Sequence, residues 1–535
     1  MASLQLGPPT KQNSTSLEST FRTFSNRFLK KTSIQFLDNI CSKDSRGASR
    51  VFYLLVLVLL ISLSSYYTVE LYTKWTNRPI LLTDSSKEMS ITSLPFPAVT
   101  ICNLNLAKRS IAEKIERYTW DFVRLKTICK EQIDLSWANA TNATEWEAFR
   151  EFINRVTQPC DEMILTCRYG STFQNCSEIF ETVITDQGVC CKFNSLHPDF
   201  IFQNNRSDQI TYRNLSLHTP VRFIPETGYE DILPEDYYPR KVQGMGVPMG
   251  LTLVLNASLN EYYCSSSRSF GFKIRLHIPS DTPRVADYAK LIPTKYETRV
   301  LITPSYRDTA QAVRSLPVTA RNCLYNSESD LEYFQIYSSN NCELECTSKI
   351  MEEECGCVQT YLPRSSNKTI TCGLKDFICS QRVEKELSGL VNPRRKCKDC
   401  LWSCSFIDFD ETISRSRLME NAPMLNEVLP GGYNVSELAV VHFYYNRKTM
   451  RVTRMEAYLG FLDFFSNSGG IYSLFLGFSI LSLIELFYFA TLFVMKIIRW
   501  RRQNRKMEYN MSNLPKIIYC TSRNEITGRK SIHSY

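Results

Sequence analysis

Two long apolar runs dominate the pattern of hydrophobic and polar positions. The first covers residues 51–71, with Glu70 only at its outer edge, and the second covers residues 469–498, with Glu485 as its single acidic residue. At about 1.5 Å of rise per residue, each run is long enough to cross a hydrocarbon core of about 30 Å. We therefore predict two membrane-spanning helices, at residues 51–72 and 466–498.

The long polar stretch between these runs mixes strand and helix patterns. Residues 252–255 and 273–277 alternate apolar and polar side chains, which is typical of strands, whereas residues 343–354 and 381–390 favour short helices between cysteines. We see no internal repeat and no low-complexity tract. The pattern predicts one large α+β domain between the two spans.

Charge orients the two spans. Residues 1–50 hold eight Lys and Arg against three acidic residues, and residues 496–535 hold ten against two. Because basic flanks mark the cytoplasmic side of a membrane helix, we expect cytosolic ends at 1–50 and 499–535 and an extracellular domain at 73–465. The two ends carry +5 and +8 and the rest of the chain −4, so the net charge of +9 reflects the cytosolic ends and does not indicate a nucleic-acid surface. The arginines after the second run suit a stop-transfer signal or contact with anionic membrane lipid.

Cysteine usage agrees with this topology. Of 20 cysteines, 18 lie between the spans, whereas Cys41 and Cys520 fall in the ends. An even number in an extracellular segment predicts a disulfide framework. Cys342-x3-Cys346 and Cys397-x2-Cys400 have spacings that suit zinc in a cytosolic protein, but an oxidising compartment and the lack of nearby histidines favour disulfides, so we expect no metal site. The predicted fold class is a two-span α-helical membrane protein with a large disulfide-rich α+β extracellular domain.

N-glycosylation acceptors concentrate in the same segment. Asn-x-Ser/Thr sequences there predict candidate sites at Asn139, Asn142, Asn175, Asn205, Asn214, Asn256, Asn367 and Asn434. We expect Asn13 and Asn510, which lie on the cytosolic side, to remain unmodified.

The second apolar run begins with an unusual stripe of small residues. Ser466, Gly470, Ser473 and Gly477 recur at helical spacing on one face, flanked by Asn467 and Leu474. Close helix packing explains such a stripe as well as a pore wall does, since small side chains serve both. The spacing alone leaves these alternatives open.

Three further residues and one acid favour the pore interpretation. Glycine inside Gly477-Phe478-Ser479 weakens a helix, and an unwound turn would direct carbonyl oxygens toward a cavity, where they can replace the water around an ion. Glu485 follows Leu474 by eleven residues, which returns it to nearly the same face of a continuous helix, and an intramembrane carboxylate needs water or a partner. Since one helix cannot enclose a pore, the subunits would have to assemble.

Four segments, which follow one another along the chain in the same order as in the family, resemble sequence motifs of the degenerin/epithelial sodium channel superfamily, specifically of its insect pickpocket branch. They are FPAVTICN at 96–103, GVCCKFN at 188–194, the segment from Tyr337 through Leu362-Pro363-Arg364 with its cysteines, and Gly477-Phe478-Ser479 followed by Glu485-Leu486. The last segment resembles a selectivity motif. The resemblance covers almost the whole chain.

The resemblance implies a homo- or heterotrimer with related subunits and a hand-shaped ectodomain of palm, ball, finger, thumb and knuckle. The finger would cover about 103–190, the thumb about 320–404, and the second span would line the pore through Ser466, Asn467, Gly470, Ser473, Leu474 and Glu485. The resemblance also implies disulfides Cys102–Cys190, Cys167–Cys176, Cys323–Cys404, Cys342–Cys400, Cys346–Cys397, Cys355–Cys379 and Cys357–Cys372. For the remaining four cysteines we expect Cys129–Cys160 and Cys191–Cys264.

The chain also departs from the family pattern. Gln35 and Phe36 replace the His-Gly of the re-entrant loop that lines the inner pore, which makes a modulatory subunit an alternative. Asn467, Gln381 and Lys385 stand where acid-sensing members carry Asp, and Ala320 stands where they carry Trp. We therefore do not expect proton gating through the finger–thumb pocket of those members.

The function expected from the sequence is a subunit of a sodium-permeable, amiloride-sensitive type of cation channel in the plasma membrane, gated by an extracellular or mechanical stimulus. The alternatives are a modulatory, poorly conducting subunit and a non-conducting two-span receptor, which would leave the small-residue stripe and Glu485 unexplained. An ATP-gated channel would need another cysteine spacing. No hydrolase, metalloprotease or P-loop motif is present, so we expect neither an enzyme nor a cofactor.

Overall fold

A computed structural model describes residues 47–77, 80–86, 88–131, 145–203, 211–212, 219–230, 232–286, 288–366, 368–387, 397, 399–419 and 432–512. The chain divides into two compact units. A membrane unit combines Met1–Arg78 with Leu459–Tyr535, and an ectodomain unit covers Pro79–Tyr458. The domain between the two apolar runs of the sequence therefore folds as one unit.

The helices of the described residues are α1 (Gly47–Asn77), α2 (Arg109–Ala112), α3 (Trp120–Ile128), α4 (Trp146–Val156), α5 (Cys160–Met163), α6 (Cys176–Ile179), α7 (Pro198–Ile201), α8 (Gln311–Arg314), α9 (Val318–Arg321), α10 (Ser339–Cys355), α11 (Phe377–Leu387), α12 (Phe461–Leu476) and α13 (Ile480–Ser512). Two apolar helical segments are long enough to span a membrane, Gly47–Asn77 and Ile480–Arg502 within α13. The first predicted span lies within the single helix α1, whereas the second is covered by α12 and α13, which leave residues 477–479 outside either helix.

The strands of the described residues are β1 (Ile80–Asp84), β2 (Met89–Ser90), β3 (Ala98–Asn103), β4 (Asn105–Lys108), β5 (Ile164–Tyr169), β6 (Thr172–Gln174), β7 (Phe180–Thr185), β8 (Gly188–Phe193), β9 (Thr211–Tyr212), β10 (Thr219–Pro220), β11 (Phe223–Ile224), β12 (Gly228–Tyr229), β13 (Tyr237–Tyr238), β14 (Leu251–Asn256), β15 (Tyr262–Ser265), β16 (Phe272–His277), β17 (Lys290–Ile292), β18 (Tyr296–Thr309), β19 (Cys323–Leu324), β20 (Trp402–Ser403), β21 (Phe406–Arg417), β22 (Leu438–Tyr445), β23 (Thr449–Met450) and β24 (Val452–Ala457). The segments predicted as strands at 252–255 and 273–277 lie within β14 and β16.

An eight-stranded sheet, which we call the palm sheet, organises one part of the ectodomain. Its strand order is β1-β24-β18-β22-β14-β5-β6, and β21 pairs with β18. The long strand β18 runs antiparallel to β21 and parallel to both β22 and β24. Residues of β14 from Leu251 to Leu255 are all buried, so both faces of this strand are covered.

A six-stranded sheet, which we call the ball sheet, has the order β17-β16-β3-β8-β7-β9. Every residue of β3 is buried. Phe96, just before β3, lies in edge-on contact with Tyr169 of β5, Phe193 of β8 and Tyr445 of β22, at ring-centre distances of 5.4, 6.0 and 5.9 Å. One continuous apolar core therefore joins the palm and ball sheets.

The thumb consists of α10 and α11 with their disulfides. The Ser338 hydroxyl accepts a hydrogen bond from the Asn341 amide at the start of α10, and Gly356 ends that helix with φ +67°. Such caps explain why α10 is longer than the predicted segment 343–354. Helix α11 (Phe377–Leu387) begins before the predicted segment 381–390 and covers its described part; residues 388–390 lie outside the described residues.

The finger contains α3 and α4. Helix α4 is amphipathic, with Trp146, Phe149, Phe152, Ile153 and Val156 buried along one side. This periodicity follows the spacing of one helical face. The finger helices therefore pack on the ectodomain through their apolar side.

Candidate functional site

The second span is interrupted at Gly477-Phe478-Ser479. Helix α12 ends at Leu476, and Gly477 takes the left-handed conformation with φ +63°. Its amide donates to Ser473 O at 3.0 Å, which closes the last turn. Because a residue with a Cβ is strained in this conformation, glycine is the natural choice at position 477.

Serines restart the helix on the other side of the interruption. The Ser482 amide donates to Ser479 Oγ at 3.3 Å, and the Ser479 amide donates to Ser482 Oγ at 3.2 Å. This reciprocal pair satisfies two amides that have no acceptor in the first turn of α13, as in a capping box. Ser479 is among the predicted filter residues, whereas Ser482 is not, although a Ser-x-x-Ser spacing after a glycine is the signal of such a cap.

The interruption changes which carbonyl groups are available. In an unbroken helix, the amides of Phe478 and Ser479 would donate to the carbonyls of Leu474 and Phe475. Here they donate to Tyr472 O at 3.4 Å and to Ser482 Oγ. The carbonyls of Leu474 and Phe475 are thereby released from their helical donors, next to a stripe of small side chains.

One face of α12 packs on α1. The ring of Phe464 stacks on Trp75 at 4.7 Å between ring centres, and Phe475 stacks on Tyr67 at 5.7 Å. The Trp75 indole N–H also donates to Leu459 O at 3.2 Å. These contacts hold the aromatic face of α12 against the first span.

The small-residue stripe lies on the opposite face of α12. At 100° per residue, Ser466, Gly470 and Ser473 lie about half a turn from Phe464 and Phe475. Ser466, Asn467, Gly470, Ser473 and Leu474 are all exposed in the single subunit. Within the described part of one chain, a Cβ placed on Gly470 would meet no atom within 4 Å. Packing against the first span therefore does not account for the stripe.

The predicted register between the stripe and Glu485 loses its basis in the structure. That prediction assumed a continuous helix from Leu474 to Glu485, whereas Glu485 lies in α13, beyond the interruption. The side chain of Glu485 is half-buried in the single subunit. Its direction relative to the stripe is set by the turn at residues 477–479 and not by a continuous count of 100° per residue.

Gln35 and Phe36 of the predicted inner-pore loop lie outside the described residues. So do the glycosylation candidates Asn139, Asn142, Asn205, Asn214 and Asn367. Of the other candidates, Asn175 and Asn434 are exposed, each beginning a short helical turn, and Asn256 is half-buried at the end of β14.

Nine disulfides connect the ectodomain cysteines. Seven are the pairs implied by the resemblance, namely Cys102–Cys190, Cys167–Cys176, Cys323–Cys404, Cys342–Cys400, Cys346–Cys397, Cys355–Cys379 and Cys357–Cys372. In α10, Cys342 and Cys346 lie one turn apart and meet Cys400 and Cys397 in antiparallel order.

The expected pairs Cys129–Cys160 and Cys191–Cys264 are wrong. The structure has Cys129–Cys264 and Cys160–Cys191 instead. Strand β15 carries Cys264 alongside β4 in a two-stranded antiparallel sheet, and α3 packs against this sheet, which brings Cys129 to Cys264. Helix α5 places Cys160 beside the β7–β8 hairpin, where Cys191 lies opposite Thr182. Sequence separation alone could not reveal these neighbours.

Comparisons with known proteins agree with this architecture. The sequence model of the family described as "Amiloride-sensitive sodium channel" matches residues 28–489. The chain is 37% identical over 492 residues to Pickpocket protein 28 of Drosophila melanogaster, a match that covers 90% of this chain and 80% of that protein. It is 26% identical over 342 residues to Sodium channel protein Nach of Drosophila virilis, covering 64% and 78%. It is 24% identical over 525 residues to the bile acid-sensitive ion channel of Homo sapiens, covering 93% of each.

The family members are oligomeric ion channels and not enzymes. Together with two apolar helices and a β-rich, disulfide-rich extracellular domain, the matches identify a two-span plasma membrane protein. The chain belongs to the degenerin/epithelial sodium channel superfamily and is a pickpocket-like cation channel subunit.

Proposed function

We propose that the chain forms, with copies of itself or related subunits, a trimeric sodium-permeable channel of the amiloride-sensitive type. Its termini are cytoplasmic, and α12 and Gly477-Phe478-Ser479 line the pore. The observation that carries this proposal is the interruption of the second span, capped on both sides and adjoining an exposed stripe of small residues that faces away from α1.

The interruption suits ion coordination. Each subunit would contribute carbonyl oxygens from the last turn of α12, and the subunits together would form a ring of such oxygens around the axis. Carbonyl oxygens can replace part of the water shell of a cation, and small side chains at Ser466, Gly470 and Ser473 leave room for the ion. The carboxylate of Glu485 would add negative charge on the cytoplasmic side of this ring.

The first experiment changes the proposed filter and measures ion preference. Ser466→Trp serves as the background, because a bulky side chain on the axis disfavours the converged closed state and should raise resting current. In that background, Gly477→Ala strains the left-handed turn and Ser479→Ala removes the helix cap, so we expect each to shift the reversal potential in mixed Na⁺/K⁺ solutions.

The matched control for the serine is Ser468→Ala. Ser468 lies on the face of α12 that packs on α1, and its hydroxyl donates to Phe464 O at 2.7 Å. We expect this variant to keep the reversal potential of the background. If Gly477→Ala and Ser479→Ala lower surface level and leave the reversal potential unchanged, the stripe serves packing. Normal surface level with an unchanged reversal potential, in a channel that needs this subunit for current, removes residues 477–479 from the filter.

A modulatory subunit is the second candidate, favoured by Gln35 and Phe36 at the inner-pore position. Whole-cell recording separates the two. Current from this chain alone at normal surface level supports the conducting subunit. The modulatory subunit is supported if current appears only with a related subunit and if Gly477→Ala leaves the reversal potential of that current unchanged.

A further inference from the structure

The finger and the thumb meet at a buried pair of side chains, Trp146 and Arg364. Trp146, the first residue of α4, is 4% exposed, and Arg364 of the thumb is fully buried. The guanidinium carbon of Arg364 lies 3.7 Å from the centre of the Trp146 ring. A cation at this distance over an indole face is an attractive contact.

The thumb itself holds Arg364 in place. Arg364 lies in a loop closed by Cys357–Cys372, and its Nη2 donates to Thr371 Oγ1 at 3.2 Å. The hydroxyl of Ser348, on α10, donates to Pro363 O. The guanidinium group is therefore positioned by thumb contacts, ready to receive the finger.

The Trp146 side chain completes an apolar cluster between three parts of the ectodomain. It packs with Phe149 and Ile153 of α4 and with Ile184 of the β7–β8 hairpin, and Tyr361 of the thumb lies against the same cluster. The Tyr361 hydroxyl donates to Glu384 Oε1 of α11 at 2.9 Å. The start of α4 thus sits on the ball sheet and the thumb together.

The stabilisation from this contact depends on how close the guanidinium group stays to the ring. Burial lowers the pKa of Arg364 to about 10, with the charge of Glu352 opposing this shift, so the guanidinium stays charged at neutral pH. A desolvated cation gains most from an aromatic face when the contact is close. A finger that moves slightly away loses the ring contact before water can reach the cation, whereas complete separation allows hydration.

We propose that Arg364 and Trp146 form a latch that positions the finger helix α4 on the thumb. Arg364 is a positioning residue in this proposal, and the latch belongs to the ectodomain alone, whatever the pore selects. Finger and thumb then move as one body while the latch is closed.

The experiment measures amide hydrogen exchange of residues 146–156 in the purified full-length channel in lipid nanodiscs. Arg364→Met and Trp146→Leu should each raise the exchange rate of this helix about 30-fold, the factor that corresponds to roughly 2 kcal/mol for a desolvated cation–π contact. Because the two side chains act as a unit, the double variant should exchange no more than about threefold faster than either single variant.

Conservative and control variants complete the design. Trp146→Phe and Arg364→Lys keep a ring and a cation, so each should recover part of the protection. Arg382→Met removes an exposed thumb arginine, and Trp402→Leu removes an exposed tryptophan. Both controls should exchange like the wild type at residues 146–156.

Two results would overturn the latch. One is wild-type exchange at 146–156 in folded Arg364→Met and Trp146→Leu variants. The other is multiplication of the two single effects in the double variant, which would mean independent contributions. If Arg364→Met does not reach the membrane, the conservative pair and its double variant decide between these results.

Discussion

His277 is the ectodomain histidine whose surroundings oppose protonation most strongly among the described residues. Thr100 Oγ1 lies 2.9 Å from its Nε2, and its Nδ1 lies 2.9 Å from Ile278 O. The Nδ1–H therefore donates to that carbonyl, and Nε2 accepts from the threonine hydroxyl. Burial lowers the pKa of His277 to about 3, and the charges of Lys192 and Arg275 act in the same direction.

This pKa makes ectodomain stability depend on pH. In the unfolded chain a histidine binds a proton near pH 6.5, whereas folded His277 stays neutral down to about pH 3. Stability from this group is therefore complete above pH 6.5 and falls with falling pH, by about 2 kcal/mol between pH 7 and pH 5. We expect His277→Gln to reduce the drop in thermal midpoint of the purified channel over that range.

The control for this measurement is Thr100→Val. It removes the hydrogen-bond partner and lowers stability at every pH, but His277 remains to titrate, so the drop between pH 7 and pH 5 should persist. An equal drop in the wild type and in His277→Gln would assign the acid sensitivity to other groups.

Some functional residues can be recognised from the local sequence, whereas others take their roles from tertiary contacts. Gly477 and Ser479 can be singled out because glycine and serine have a strong local meaning inside an apolar helix. Ser482, Trp146 and Arg364 take their roles from contacts that only the folded chain makes. The latch pair is separated by more than two hundred residues, and no periodicity links its members.

At the scale of elements, the thumb is built on its disulfides. Helix α10 carries Cys342 and Cys346 one turn apart, and their partners Cys400 and Cys397 close loops of 58 and 51 residues. Removal of one native bridge of this kind costs about 2–5 kcal/mol. The bridges therefore fix helices that would be marginal alone.

We expect Cys342→Ser to lower surface delivery of the channel. Because a single bridge is lost in either case, Cys342→Ser with Cys400→Ser should be little worse than Cys342→Ser alone. Surface biotinylation measures delivery, and Cys520→Ser, outside the predicted ectodomain, is the control. A peptide map under non-reducing conditions that joins Cys397 to Cys400 would contradict the assignment.

Elements were predictable where local pattern determines them. The spans, the centres of β14 and β16 and the thumb helices follow from hydropathy, alternation and helical spacing. Gly477 predicts the interruption in the second span, but the register of Glu485 beyond it does not follow from the sequence, because a hydropathy run does not show where one helix ends and the next begins. The pairs Cys129–Cys264 and Cys160–Cys191 depend on strand pairing and were also missed.

At the scale of the whole molecule, one long domain lies between two spans, so both ends of the chain share a side of the membrane. The ectodomain core is continuous, with Phe96 joining palm and ball sheets, and the nine disulfides lie within residues 102–404. Disulfides of this density need an oxidising compartment. The basic residues of 1–50 and 496–535 favour cytosolic ends.

We therefore expect epitope tags at both termini to stain only after cells are permeabilised, because charged flanks resist translocation. Glycans provide the marker for the opposite side. Asn434 is exposed and begins a turn before β22, so Asn434→Gln should increase gel mobility by one glycan, as glycosidase treatment does. Asn510→Gln, on the predicted cytosolic side, is the matched control and should leave mobility unchanged. Staining of an amino-terminal tag on intact cells would contradict the predicted orientation and, with it, the extracellular assignment of residues 73–465.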